Sequence, residues 1–180
     1  HGYDFGYFGG SNIVKGFRVL LMALALLKSK RIPATVHATK FLNSDKHEES
    51  LRRLGFALYG KVEQCEYDRI YRQISAVVVP SIWAEPLAYV IPEAILKGRI
   101  VVASQIGGIK EQVEGIKSAF LFRNGDCEQL AEIMIYVHGL SRERVADLTI
   151  QGRLAFLKKF SNAKTLEDFV NILSQVSCTT

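Results

Sequence analysis

Cysteine is scarce: Cys65, Cys127 and Cys178 are the only three, too far apart for a Cys-x-x-Cys pair. That spacing excludes the common paired-thiol metal and redox motifs and leaves no disulfide framework, so a reducing, cytoplasmic setting is expected. No apolar stretch is long enough to span a bilayer. The longest, Val19 to Leu27, falls far short of the roughly 20 residues required, and no cleavable signal pattern opens the sequence. Histidine is sparse too, and His1, His37, His47 and His138 show no ligand spacing. With no clustered Cys or Asp beside them, no metal site is expected. The positive charges do not gather around interleaved aromatics, which argues against a nucleic-acid module. Internal repeats and low-complexity tracts are also lacking.

What remains is an ordinary globular composition. The chain has 180 residues, 48% of them hydrophobic and 23% charged, enough for one well-buried core and little more. Its net charge of +5, from 23 Lys and Arg against 18 Asp and Glu, suits an anionic ligand or a merely solvated surface. It opens at His1 rather than Met, as expected of a piece of a longer polypeptide. The whole is expected to form one domain over residues 1–180, with an α/β core over 1–125 and a helical tail over 126–180.

Short apolar runs recur along the chain: Phe5 to Phe8, Ala34 to Ala38, Phe56 to Gly60, Ala76 to Pro80, Ile100 to Ser104 and Ala119 to Phe122. Two of them, Ala76-Val77-Val78-Val79 and Ile100-Val101-Val102-Ala103, are apolar without alternation, as parallel strands covered on both faces must be. Helical period fills the intervals. From Lys15 to Ser29, Phe17, Leu20, Leu21, Leu24 and Leu27 share a stripe that leaves Arg18 and Lys28 outside it. Asp45 with Glu48, and Asp126 with Gln129, have the spacing of helix N-caps. After the last run the pattern is helical throughout, with stripes at Leu130, Ile133, Met134 and Val137 and at Leu166, Phe169, Val170 and Leu173. These features predict a doubly wound parallel sheet of about six strands, helices on both faces and a C-terminal helical tail.

In such a sheet ligands sit beyond the carboxyl ends of the strands, so the residues after each strand carry the candidate chemistry. The first loop, Gly9-Gly10-Ser11-Asn12-Ile13-Val14-Lys15-Gly16, offers close backbone approach, a helix start and a cation, all suited to phosphate. It matches neither G-x-G-x-x-G nor a P-loop, because the glycine spacing is wrong and Lys15 precedes Gly16. The loop after the fourth strand carries Ser81, Trp83, Glu85, Pro86, Leu87, Ala88, Tyr89 and Val90, and leads into a helix near Ala88 to Ile91 with Pro92 in its first turn. Glu93 then has two open readings, a cap for backbone donors or an acceptor for sugar hydroxyls. Trp83 is expected to pack under its loop, with stacking on a sugar as the alternative. Gly107-Gly108-Ile109-Lys110-Glu111 forms a third loop with glycine amides at a helix start.

Taken in order, Phe8-Gly9 with Lys15-Gly16, Gly60, Pro80-Ser81, Glu85-Pro86 with Glu93-Ala94 as an E-x7-E pair, Gly98, and Gly107-Gly108 with Glu111 resemble the C-terminal domain of glycosyltransferase family 4. These are retaining enzymes of the GT-B fold, whose C-terminal lobe is Rossmann-like. The resemblance covers about residues 5–135 and implies a nucleotide-sugar donor site with Lys15 and Glu85 as catalytic residues. Lys15 would neutralise the donor diphosphate beside Gly9, Gly10 and Ser11. Amides of Pro86-adjacent Leu87, Ala88, Tyr89 and Val90 would bind diphosphate or sugar, Glu93 would hold the ribose, and Lys61 and Val62 would lie beside the base. Ser81 belongs to the same donor site. No metal or other cofactor is implied. The acceptor domain would precede this chain in the polypeptide and would be the part able to meet a membrane surface. Two positions depart from the family pattern: Gly10 stands where an arginine is usual, with Arg18 or Lys61 as substitute cations, and Ala88 replaces a glycine. The alternative is a non-catalytic nucleotide-sugar-binding or interaction domain on the same scaffold.

Overall fold

The computed structural model describes residues 4–39, 48–161, 163 and 166–167. Along the chain run β1 (Asp4–Tyr7), α1 (Phe17–Ser29), β2 (Val36–Ala38), α2 (Glu48–Leu54), β3 (Phe56–Leu58), α3 (Gln64–Gln73) and β4 (Ile74–Val79). They are followed by α4 (Val90–Leu96), β5 (Ile100–Ser104), α5 (Ile109–Val113), β6 (Ala119–Phe122), α6 (Cys127–His138) and α7 (Arg142–Lys159). The six strands form one parallel sheet in the order β3-β2-β1-β4-β5-β6. This is the doubly wound, Rossmann-like arrangement expected from the apolar runs.

The unbroken runs are explained by burial on both faces. Ala76 and Val78 of β4, with Ile100 and Val102 of β5, join the core beneath α1 and α6. Val77, Val79, Val101 and Ala103 point the other way into a second core with residues of α3, α4, α5 and α7. Every one of these strand positions is at most 7% exposed, and each fully buried Val or Ile is worth about 1.5–3 kcal/mol of transfer free energy. The β4 strand begins two residues before the expected Ala76, because α3 hands over to it directly: Ile74, buried and extended, is at once the C-cap of α3 and the first strand residue.

The α1 helix buries Val19, Leu20, Ala23, Leu24 and Leu27, with Phe17 and Leu21 half-buried beside them and Arg18 exposed. At α6, the Asp126 carboxylate accepts the Gln129 amide proton at 2.9 Å, as its spacing predicts. The Gln129 side chain reaches back to the Arg123 amide at 2.6 Å rather than to the cap residue itself. Ser141 caps α7 by accepting from the Arg144 amide at 3.2 Å. Asp45, Phe169, Val170 and Leu173 lie outside the described residues, while Leu166 of the same expected stripe is exposed. Among the described residues no helix is long and apolar enough to cross a membrane.

Candidate donor site

The strand order reverses between β1 and β4. The chain leaves β1 towards β2 on one side and leaves β4 towards β5 on the other, so the loops beyond their carboxyl ends diverge and open a crevice. A cavity of about 320 Å³ occupies it, walled by Tyr7 of β1 with Phe8, Gly9 and Lys15 after it, by Val78 and Val79 of β4, and by Ser81, Glu85 and Leu87 to Val90 after that strand. Glu93 of α4 and Tyr67 of α3 complete the wall.

Local geometry brings the first loop flat against the end of β4. Asn12 Oδ1 accepts the Val14 amide proton at 3.0 Å, and the Val14 carbonyl in turn accepts from the Ile82 amide at 3.0 Å. Gly16 closes the loop with φ of 78°, and a Cβ placed there would come within 1.7 Å of the Pro80 carbonyl oxygen. Only glycine allows both the left-handed backbone and that approach. The result sets Lys15 Nζ 2.8 Å from Glu85 Oε2. The other carboxylate oxygen, Oε1, lies 2.6 Å from the Ser81 hydroxyl, which also stands 3.2 Å from the Val14 carbonyl. A hydroxyl has one proton, and the shorter, charge-assisted contact takes it.

The backbone of Glu85 is fixed from a third direction. Its carbonyl accepts the Gly108 amide proton at 2.9 Å, and a Cβ on Gly108 would meet the Pro86 carbonyl oxygen at 2.1 Å. The third loop therefore braces the second, and the Gly108 amide is already engaged in doing so. Ser104, fully buried at the end of β5, donates its hydroxyl to the Ser81 carbonyl at 2.5 Å.

Glu93 sits in the first turn of α4, where its charge suits the helix dipole. It does not cap its own helix with its side chain. Instead its Oε2 accepts the Tyr67 hydroxyl proton at 3.0 Å, and Lys97 Nζ lies 4.0 Å from Oε1. Lys97 is itself held 2.5 Å from Asp68, whose carboxyl it draws below the usual range. Burial pushes the Tyr67 phenol well above its ordinary value, and the Glu93 charge adds to the shift. The Tyr7 phenol is raised by burial in the same way.

Of the residues expected at the site, Gly9, Lys15, Ser81, Glu85, Leu87, Ala88, Tyr89, Val90 and Glu93 share this cavity wall. Gly10, Ser11, Lys61, Val62 and Pro86 lie outside that wall; Ser11 and Lys61 are exposed, and Val62 packs against the second core. The Ala88 amide, expected to face a phosphate, donates instead to Gln112 Oε1 at 3.0 Å in a buried position. Trp83 does not pack under its loop: 62% of it is exposed. Tyr7, Tyr67, Val78 and Val79 line the cavity without being among the expected site residues, and Gln112, which holds the Ala88 amide, is missed as well. Tyr67 shares a helix face with Tyr71, four residues on, a spacing that marks a packed face and not a ligand site.

His37 has a structural part, as expected. It is 7% exposed, with Nε2 3.0 Å from Asp4 Oδ2 and Nδ1 3.0 Å from the Tyr59 hydroxyl. A carboxylate can only accept, so Nε2 carries a proton towards Asp4. Among the described residues no group of three or more His, Cys, Asp or Glu is placed to hold a metal ion.

Known proteins resemble the chain in both sequence and fold. Over 109 residues it is 34% identical to an uncharacterized 42.6 kDa protein in the cps region of Klebsiella pneumoniae, a match covering 59% of this chain and 27% of that one. Sucrose-phosphate synthase from Thermosynechococcus elongatus superposes with a TM-score of 0.74 at 21% identity, over 99% of this chain and 46% of its own. Anabaena HepE in complex with UDP and glucose gives 0.69 at 21% identity, over 96% and 48%. The chain thus spans about half of these structures and about a quarter of the curated relative, and the likeness carries the fold, that of one GT-B lobe. A family model described as glycosyl transferases group 1 matches residues 2–138. By that match the chain belongs to the group 1 glycosyl transferases.

Proposed function

We propose that this chain is the donor-binding lobe of a retaining, family 4 glycosyltransferase, taking a sugar from a nucleoside diphosphate to an acceptor held by another domain. The observation that carries the reading is the Lys15–Glu85 pair at the mouth of the switch-point cavity, with Glu93 lining the same cavity. Solved structures of the same fold include one described in complex with UDP and glucose, which supports a nucleotide-sugar ligand.

Lys15 is the cation for the diphosphate. Glu85 neutralises it across the 2.8 Å pair; an arriving diphosphate shares Lys15 and leaves Glu85 with Ser81 and the hydroxyls of the sugar. Two anions side by side would otherwise repel, so Glu85 faces the sugar and not the phosphate. Glu93 accepts from the ribose hydroxyls. In the reaction the bond between the anomeric carbon and the β-phosphate oxygen breaks, with its electron pair leaving on the diphosphate. The acceptor hydroxyl bonds to the same face of the anomeric carbon and passes its proton to the departing diphosphate oxygen, which lies on that face. Fixed positive charge at Lys15 lowers the barrier by meeting the negative charge as it develops on the leaving group. No step in this scheme draws on a metal. An acceptor domain outside this chain supplies the rest of the cleft and any membrane contact, so the chain alone binds donor and transfers poorly or not at all.

Calorimetric titration with UDP, GDP and ADP tests the reading. Saturable binding of at least one, lost in Lys15→Ala and Glu93→Ala, supports it. Binding of none overturns it. Binding without transfer once the chain is joined to its acceptor domain favours the non-catalytic alternative, to which Gly10 and the engaged Ala88 amide lend their weight.

A further inference from the structure

Glu93 is held by groups that the donor reading does not use. The Tyr67 hydroxyl reaches across from α3 to α4 and donates to Glu93 Oε2 at 3.0 Å. The Tyr67 ring has little freedom to leave: its centroid is 4.9 Å from that of Phe8 and 5.2 Å from that of Tyr71. Phe8 stacks on Tyr71 at 5.1 Å, closing a three-ring cluster behind the carboxylate. On the other side Lys97 lies over the Tyr71 ring at 5.0 Å, anchored by Asp68 and 4.0 Å from Glu93 Oε1. Tyr67 and Glu93 both line the cavity, whereas Tyr71 is buried behind it.

A free glutamate on a short helix samples several rotamers, and ordering it on ligand binding costs side-chain entropy. One hydrogen bond from a ring that is itself clamped removes much of that cost beforehand. Each carboxylate oxygen has two lone pairs, so a bond from Tyr67 to Oε2 leaves room for a vicinal diol to donate one proton to each oxygen. We propose that Tyr67 is a positioning residue for the donor site, holding the Glu93 carboxylate in the orientation that accepts the two ribose hydroxyls. The proposal rests on the donor reading above. Tyr67 does not itself act on the reacting atoms; it acts through Glu93.

The test separates this from simple packing. In the full chain, the nucleoside diphosphate that binds tightest among UDP, GDP and ADP is titrated against wild type and Tyr67→Phe, beside its 2′,3′-dideoxy analogue and inorganic diphosphate. Tyr67→Phe keeps the ring and removes one oxygen. The expected result is a loss of about five- to tenfold in affinity for the parent nucleotide, with the dideoxy analogue and inorganic diphosphate changed by less than about twofold. In a Glu93→Ala background the same change has no further effect. Equal weakening of all three ligands, or none of any, overturns the proposal while leaving the donor reading intact. Failure of the wild type to bind any nucleoside diphosphate overturns both. A crystal structure of the wild-type complex gives an answer that needs no variant: Tyr67 still bonded to Glu93 with both ribose hydroxyls on the carboxylate supports the inference, and a Tyr67 hydroxyl turned away from Glu93 contradicts it.

Discussion

Lys15 and Glu85, seventy residues apart in sequence, meet at 2.8 Å across the point where the strand order reverses. Neither is placed by its own element alone. Lys15 depends on the Gly16 turn resting against Pro80, and Glu85 on Ser81, Trp83 and Gly108. The pair is the meeting place of three loops, and the consequences follow from removing its parts one at a time.

In the proposed donor site, removing the cation at Lys15 would take away a charge-assisted contact to the diphosphate, worth about 1.5–3 kcal/mol. Lys15→Ala is expected to weaken nucleoside diphosphate and inorganic diphosphate alike, by about tenfold or more in calorimetric titration. The common loss distinguishes it from Tyr67→Phe, whose effect requires the ribose.

The Gly16 turn is expected to tolerate no side chain. A Cβ would lie 1.7 Å from the Pro80 carbonyl oxygen, in a backbone region costing other residues about 1–2 kcal/mol before any clash. Gly16→Ala should lower the urea midpoint by an amount equivalent to at least about 2 kcal/mol. A variant as stable as wild type would mean that the loop does not rest on β4.

Burial makes Gln112 the partner that the Ala88 amide requires. Gln112 is 5% exposed, and Gln112→Leu leaves that amide proton without an acceptor. The expected cost is about 1–3 kcal/mol in denaturant unfolding. No loss of stability would show that the Ala88 amide does not depend on Gln112 for its acceptor.

The Asp126 cap of α6 provides a test in acid. The backbone amide of Gln129 is the main cause that holds its carboxyl below the ordinary value of 3.8, with Arg123 adding to it. A carboxyl lowered by folding contributes stability that is full above its unfolded value and is lost as pH falls through the folded one. Asp126→Asn keeps an acceptor but has no proton to gain. The difference in urea midpoint between wild type and variant should therefore be constant above about pH 5 and shrink as the pH falls below about 4.

Much of the scaffold was legible because burial on two faces leaves an unmistakable mark. Runs such as Val77-Val78-Val79 and Val101-Val102-Ala103 have no polar side to hide, so the strand number is legible directly, as is the helical character of the chain after β6 over α6 and α7. Boundaries shifted where one element passes straight into another, as at Ile74. At the site, Lys15, Glu85 and Glu93 stood out through glycine turns and carboxylate spacing. Tyr67 did not, because its importance comes from α3 packing against α4, a relation that no local spacing encodes. The engagement of the Ala88 amide by Gln112 was hidden for the same reason: the two groups are 24 residues apart and meet only in the folded core. Trp83 differs from expectation because an aromatic in a loop is usually covered, whereas here it is exposed.

The central claim is that the crevice between β1 and β4 is the donor site, and a crystal structure of the chain with a bound nucleoside diphosphate tests it most directly. The account predicts diphosphate oxygens within hydrogen-bonding distance of Lys15 Nζ and both ribose hydroxyls on the Glu93 carboxylate. A nucleotide seated elsewhere on the molecule, with the Lys15–Glu85 pair intact and the crevice empty, would contradict it.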